Sequence, residues 1–149
     1  MTDDERAVSI TLNYVLAIAI SAVLVTGLLI AGGNFVGDQQ ESVVRNELSV
    51  VGQRLAADLE RVDRMVAAGD DVDAARINRS LPTAAVGERY DIELDASPEP
   101  ELVLTADGAD VSVSVTISNR TPLADSSVGS GSVAVVYDQP SGVIALDES

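Results

Sequence analysis

The side chains that could do chemistry in this chain are its carboxylates and two asparagines in glycosylation sequons. Of 149 residues, 24 are acidic and nine are basic; all nine bases are arginine, and there is no cysteine, histidine or tryptophan. These absences exclude a thiol nucleophile, a Cys/His zinc site and a Ser-His-Asp triad. The sequence therefore predicts no catalytic residue, no cofactor and no metal site.

The carboxylates are candidates for cation binding or acid-base work, but their pattern favours a solvated surface. The acidic run at 70–73 lacks the loop spacing and the later glutamate of an EF-hand. The acids at 91–95 alternate along one predicted strand, as on an exposed face. A net charge of −15 without a basic patch argues against nucleic acid as a partner.

The two sequons are Asn78-Arg79-Ser80 and Asn119-Arg120-Thr121. Both fall in segments that we predict as loops, and an exposed Asn-x-Ser/Thr sequence is the acceptor for N-glycosylation. Asn78 and Asn119 are therefore glycosylation candidates, although Pro122 directly follows the second sequon.

An uncharged segment near the N-terminus sets the organisation of the chain. Ala7–Gly37 is 31 residues without a charge. As a helix, residues 8–36 would extend roughly 43 Å, enough to cross a hydrocarbon core of about 30 Å. The rest of the chain is too small to bury such a helix on all sides. The acidic residues before it differ from the basic start of an ordinary secretory signal, so we predict a transmembrane or assembly helix.

A second, amphipathic helical segment follows at 37–69. Apolar residues recur at helical spacing in one stripe: Val44, Leu48, Val51, Leu55, Leu59, Val62 and Val66. Asp58 and the charged residues of 60–64 lie largely off this stripe. Gly32 and Gly33 form a candidate hinge before the segment, because glycine in a helix interior costs about 1 kcal/mol relative to alanine.

The pattern then changes to the alternation of half-buried antiparallel strands. Alternating segments begin at Tyr90, Leu102, Val111 and Val133, and a last one covers 143–146. The Ser/Gly-rich segment 119–132 is predicted as a loop. The sequence thus predicts an α+β fold: one long N-terminal helix, membrane-spanning and then amphipathic, followed by a small antiparallel head at 70–149 with one face on the helix.

The acidic start, Arg6-Ala7-Val8-Ser9, the apolar helix and the β-rich head together resemble an archaeal, and in particular a haloarchaeal, type IV pilin with a class III signal peptide. The resemblance covers residues 3–36 by motif and the remainder by architecture. Many haloarchaeal pilins continue with Pro-Val-Ile-Gly after this motif, whereas this chain has Ile10-Thr11-Leu12-Asn13. That departure suggests a divergent or minor subunit. An acidic, arginine-only surface is also similar to that of proteins from salt-accumulating archaea.

The resemblance implies that residues 1–7 are a leader, removed by a prepilin peptidase. Arg6 matches the charged position, Ala7 the small one, and Val8 would become the new N-terminus. It also implies a membrane-anchored subunit whose helix enters a cell-surface filament with other pilin-like subunits while the head faces outward. Small residues let such helices approach closely, and those available include Ala17, Ala22, Gly27 and Ala31.

Two interpretations remain open from the sequence. The first is a pilin-like filament subunit with a role in adhesion or filament initiation. The second is an uncleaved single-pass membrane anchor that carries an extracytoplasmic binding domain. Processing before Val8 distinguishes them, and neither requires an enzyme activity.

Overall fold

A computed structural model describes residues 3–69, 71–85, 87–108 and 111–149, with side chains described from Thr11 onwards. Helix α1 (Asp3–Ala68) is followed by seven strands. The chain divides into two compact units, Met1–Gln39 and Gln40–Ser149.

The first unit is helical throughout its described part. Every described side chain from residue 11 to residue 39 is exposed. The large apolar residues from Leu12 to Val36 expose between 50% and 77% of their surface. This is the segment whose uncharged sequence predicted a membrane helix, and no side chain that the structure describes in this unit covers it.

The second unit contains the C-terminal part of α1 and all seven strands. The strands are β1 (Ala74–Ser80), β2 (Tyr90–Asp95), β3 (Glu101–Ala106), β4 (Ser112–Thr116), β5 (Ser126–Gly129), β6 (Ser132–Asp138) and β7 (Val143–Glu148). They form a three-stranded sheet in the order β1-β6-β7 and a four-stranded sheet in the order β4-β3-β2-β5. All pairings between these strands are antiparallel. The α+β class predicted from the sequence is therefore confirmed.

The two sheets meet where β5 approaches β7. The Ser126 hydroxyl accepts a hydrogen bond from the Leu146 amide at 3.0 Å. A short parallel bridge joins Leu123 to Ile144 beside it. Strands β1 and β4 are thereby left as the outermost strands of the head.

The core of the second unit lies between the amphipathic part of α1 and the inner faces of the sheets. The predicted helical stripe is confirmed from Val44 to Val62, and Val66 packs at its edge. Gly52 allows a close approach: a Cβ at this position would lie 2.9 Å from both Leu104 Cδ1 and Val115 Cγ2. The helix therefore packs directly against β3 and β4.

Four details differ from the sequence prediction. The strands form two sheets instead of one, because β6 and β7 pair with β1, a strand that the polar sequence 74–80 did not reveal. Strand β5 lies inside the predicted loop 119–132, since its Ser/Gly backbone pairs with β2. Asp58 and Asp63, which lie off the predicted apolar stripe, are nevertheless buried, because β1 and the loop after β4 supply their hydrogen-bond partners.

Candidate functional site

The candidate functional surface of the first unit is the exposed apolar part of α1. Among the described residues, this is the one helix long and apolar enough to cross a membrane. Large contiguous apolar surfaces are rare on proteins in water and mark contact with a membrane or another protein. The chain therefore has a candidate membrane span near its N-terminus.

The predicted leader lies at the start of the same helix. Met1 and Thr2 lie outside the described residues. Arg6, Ala7 and Val8 belong to the helical backbone of α1, and their side chains lie outside the described part of the chain. The cleavage position before Val8 thus stays a prediction from the sequence.

The predicted packing residues do not all share one face. Gly27 and Ala31 are four residues apart, which places them on the same side of a helix. Ala22 is five residues before Gly27 and points to a different side, and its carbonyl accepts a hydrogen bond from the Thr26 hydroxyl at 2.8 Å. Ala17 is exposed like the others. Close helix approach would therefore use Gly27 and Ala31 on one side and Ala22 on another.

The candidate hinge at Gly32 and Gly33 is helical. Helix α1 continues through both residues. A Cβ added at either would meet no atom within 4 Å. Neither glycine is required there by packing within this unit.

The two sequons lie in different environments. Asn78 is exposed in the middle of β1, so the loop predicted for it is wrong. The polar side chains at alternate positions of this outermost strand do not indicate from the sequence that it pairs with β6. Its Oδ1 accepts a hydrogen bond from Arg76 Nε at 2.8 Å. Asn119 lies in a loop, as predicted, but is half-buried, and its Nδ2 donates to the Thr121 carbonyl at 2.8 Å. The amide nitrogen that glycosylation modifies is thus engaged at Asn119.

An ion pair that the sequence did not reveal fixes α1 to the three-stranded sheet. Arg79 of β1 donates from Nε to Asp58 Oδ2 at 2.7 Å and from Nη2 to Asp58 Oδ1 at 2.6 Å. Asp58 is only 3% exposed. The interaction with Asp58 raises the pKa of the Arg79 guanidinium above its usual value. Such bidentate, charge-assisted pairs fix both distance and orientation.

A second buried acid connects α1 to the loop after β4. Asp63 Oδ1 accepts hydrogen bonds from the amides of Thr121 at 2.7 Å and Arg120 at 3.1 Å. Burial alone would raise the pKa of the Asp63 carboxyl, but the hydrogen bonds from Thr121 and Arg120 outweigh it and hold the pKa below its usual range. A cleft lined partly by Asp63, Arg64 and Asn119 lies beside this contact.

The acids that the structure describes outside these two contacts do not gather into a cation site. Within the part of the chain that the structure describes, no three acidic side chains lie close enough to hold a metal ion. Asp95 instead serves a turn, because its Oδ1 accepts a hydrogen bond from the Ser97 amide at 2.8 Å. Hydrogen bonding by Ser97 lowers the pKa of the Asp95 carboxyl.

Comparison with known proteins gives a family without an assigned activity. Neither the curated proteins nor the solved structures yield a match. A family model described as "Family of unknown function (DUF7266)" matches residues 3–147, which is nearly the whole chain. The chain therefore belongs to the DUF7266 family, and the long helix with its β head is the architecture of this member.

Proposed function

We propose that this protein is a pilin-like subunit of a cell-surface type IV filament, anchored in the membrane by α1 before assembly. The observation that carries the proposal is the division of burial along this helix. All described residues from 11 to 43 are exposed, whereas the stripe that begins at Val44 is buried in the head. The exposed apolar part can be shielded by lipid or by the helices of neighbouring subunits.

The leader supports a filament subunit over a simple anchor. Arg6 and Ala7 stand directly before the uncharged helix, at the positions of a class III cleavage site. Cleavage before Val8 would remove three acids and one base and keep the apolar helix intact. The head, which belongs to the compact unit Gln40–Ser149, would then face outward, with a role in adhesion or filament initiation as a minor or divergent subunit.

The N-terminus of the mature protein tests this proposal. We would measure it by intact mass on the protein from native membranes and from material sheared off the cell surface. A chain that begins at Val8 and occurs in the sheared material is expected. A chain that begins at Met1 or Thr2 and stays in the membrane would reject the filament subunit and leave the single-pass anchor with an extracytoplasmic binding domain.

The packing surface of the span offers a second test. Ala22→Leu and Gly27→Leu add bulk where helices would approach, so we expect less of the protein in the sheared material. Val25→Leu is the matched control, because it adds one methylene to an exposed side chain that is already large. If all three variants are recovered like the wild type, close packing at Ala22 and Gly27 plays no part in assembly.

A further inference from the structure

The part of α1 that belongs to the second unit, residues 40–68, has an exposed side that is basic and partly apolar. We call this side the helix back; it comprises Val43, Val50, Arg54, Ala57, Arg61 and Arg64. Val43 and Val50 expose about half of their surface, 50% and 46%. Arg54 and Arg61 form no ion pair with any residue that the structure describes, whereas Arg64 pairs with Glu60 at 3.5 Å.

The helix back is basic because two acids of the same stretch of α1 face the interior of the second unit. Asp58 and Asp63 belong to the same stretch of α1, but they turn inward to Arg79 and to the amides of Arg120 and Thr121. Their negative charge therefore lies in the interior, next to Arg79 and these backbone amides. The arginines of the stretch remain on the outside. Glu60 pairs with Arg64 at 3.5 Å and Glu47 is half-buried, so Arg54 and Arg61 are the cations of the helix back that have no ion pair among the described residues.

The four-stranded sheet has an outer face of opposite charge. We call it the outer sheet face; by strand alternation it carries Asp91, Glu93, Asp95, Glu101, Val103 and Thr105. The strands β2 to β5 contain no basic residue. Val103 pairs across the ladder with Glu93 and Thr105 with Asp91, so a partly exposed apolar residue lies among carboxylates.

These two surfaces lie on opposite sides of the head. Gly52 brings α1 against the inner face of the four-stranded sheet, at Leu104 and Val115. The helix back therefore faces away from the sheet, and the outer sheet face points away from the helix. A single chain cannot bring them together, whereas two copies can.

We infer that the helix back of one copy docks on the outer sheet face of the next copy. Arg54 and Arg61 are seven residues apart, about 10 Å along a helix. The acids at 91, 93 and 95 are spaced about 7 Å apart along their strand, so a guanidinium can reach a carboxylate at each end of the contact. Val50 and Val103 give each surface an apolar centre. The second copy is the occupant that supplies the complementary charge.

The contact is head to tail and therefore repeats. Each copy uses one surface and leaves the other free, so the arrangement extends unless rotation closes a ring. The inference deepens the proposed function, on which its placement in a filament rests, by naming the surfaces through which neighbouring heads meet. The charge pattern also fixes the direction of stacking, because two helix backs or two outer sheet faces would bring like charges together.

Cysteine crosslinking of the full chain in native membranes and in sheared surface material tests the contact. The sequence has no cysteine, so Ala57→Cys on the helix back and Thr105→Cys on the outer sheet face are the only reactive sites when the two variants are expressed together. Both residues are exposed and uncharged, and both charge patterns stay intact. A short bis-maleimide reagent is expected to give a dimer from the mixed cells and none from cells that express either variant alone. Gln139→Cys, in the exposed turn after β6, replaces Thr105→Cys as the control and should give no dimer.

Charge exchange shows whether the arginines direct the contact. Arg54→Glu with Arg61→Glu, added to the Ala57→Cys copy, should lower the yield of mixed dimer roughly tenfold. Asp91→Arg with Glu93→Arg, added to the Thr105→Cys copy, should restore it. Dimers from single variants, no mixed dimer, or a mixed dimer insensitive to both changes would overturn the inference.

The outcomes separate this contact from the proposed function. A mature chain that starts at Val8 and occurs in sheared material, yet gives no mixed dimer, would keep the filament subunit and reject the head contact. A mixed dimer from membranes, in which the chain starts at Met1 or Thr2, would keep the contact and reject the filament.

Discussion

Arg79 on β1 and Asp58 on α1 form a bidentate ion pair, with hydrogen bonds of 2.7 and 2.6 Å, that joins the helix to the three-stranded sheet. The pair is asymmetric in its burial. The Arg79 side chain is 40% exposed, whereas that of Asp58 is 4% exposed. Removing one partner therefore differs from removing the other.

We expect Arg79→Ala to destabilise the head more than Asp58→Ala. Without Arg79 a buried carboxylate loses its partner, which is strongly destabilising, whereas the half-exposed guanidinium left by Asp58→Ala regains water. Thermal unfolding of the full chain in detergent, followed by circular dichroism, measures both. The double variant should lose less than the sum of the two single losses. Equal losses for the two single variants would contradict the asymmetry.

The close approach at Gly52 gives a second prediction. Gly52→Leu should lower the unfolding temperature sharply, because even a Cβ would lie 2.9 Å from Leu104 and Val115, and overpacking typically costs about 1–3 kcal/mol. Gln53→Leu is the matched control on the next, exposed residue of the helix. If the two variants unfold at the same temperature, α1 does not pack on the sheet at Gly52.

The lowered pKa of Asp63 predicts how the folding stability changes at acidic pH. Because the pKa of Asp63 is lowered in the folded protein, the unfolded chain binds more protons at acidic pH. The contribution of Asp63 to folding stability is therefore complete above the unfolded pKa of about 3.9 and is lost as the pH falls through the lowered pKa. Asp63→Asn should therefore flatten the decline of stability below about pH 4 and cost roughly 1–2 kcal/mol at pH 7. Unfolding by urea across this pH range is the measurement. A slope in Asp63→Asn equal to that of the wild type would refute the prediction.

The raised pKa of Tyr90 predicts that its hydroxyl ionises only at strongly alkaline pH. Burial, together with the nearby Glu47 charge, raises the pKa of its hydroxyl to about 12, and the hydroxyl donates to the Pro82 carbonyl at 2.6 Å. Its contribution to stability is therefore complete below about pH 10, the value in an unfolded chain, and is lost as pH rises toward 12. Tyrosinate absorbance should show a step near pH 12 that Tyr90→Phe removes. A wild-type titration that ends well below pH 12 would contradict this.

The two sequons should differ in modification. Asn78 is exposed and its Nδ2 is available, whereas Asn119 is half-buried and its Nδ2 donates to the Thr121 carbonyl. If the protein is N-glycosylated in its native cell, intact mass should show one glycan, which Asn78→Gln removes and Asn119→Gln leaves in place. A glycan that is lost only with Asn119→Gln would reverse the assignment.

The long helix, its apolar stripe and most of the strands could be predicted from the sequence alone. These follow from local periodicity: the stripe from Val44 to Val62 repeats at helical spacing, and Tyr90, Ile92 and Leu94 alternate with acids. The uncharged apolar segment near the N-terminus was equally evident in the sequence, because its composition alone identifies it. The cleavage site at Arg6-Ala7-Val8 stays a prediction.

The parts of the fold that depend on partners distant in sequence could not be predicted in this way. Strand β1 carries polar residues at alternate positions and forms because β6 pairs with it, and β5 forms against β2 despite its Ser/Gly sequence. Asp58 resembles any surface acid until Arg79, 21 residues later, is brought beside it. The separation of basic and acidic surfaces arises in the same way. Charge at one position is local information, but its burial or exposure is set by the packing of the whole head.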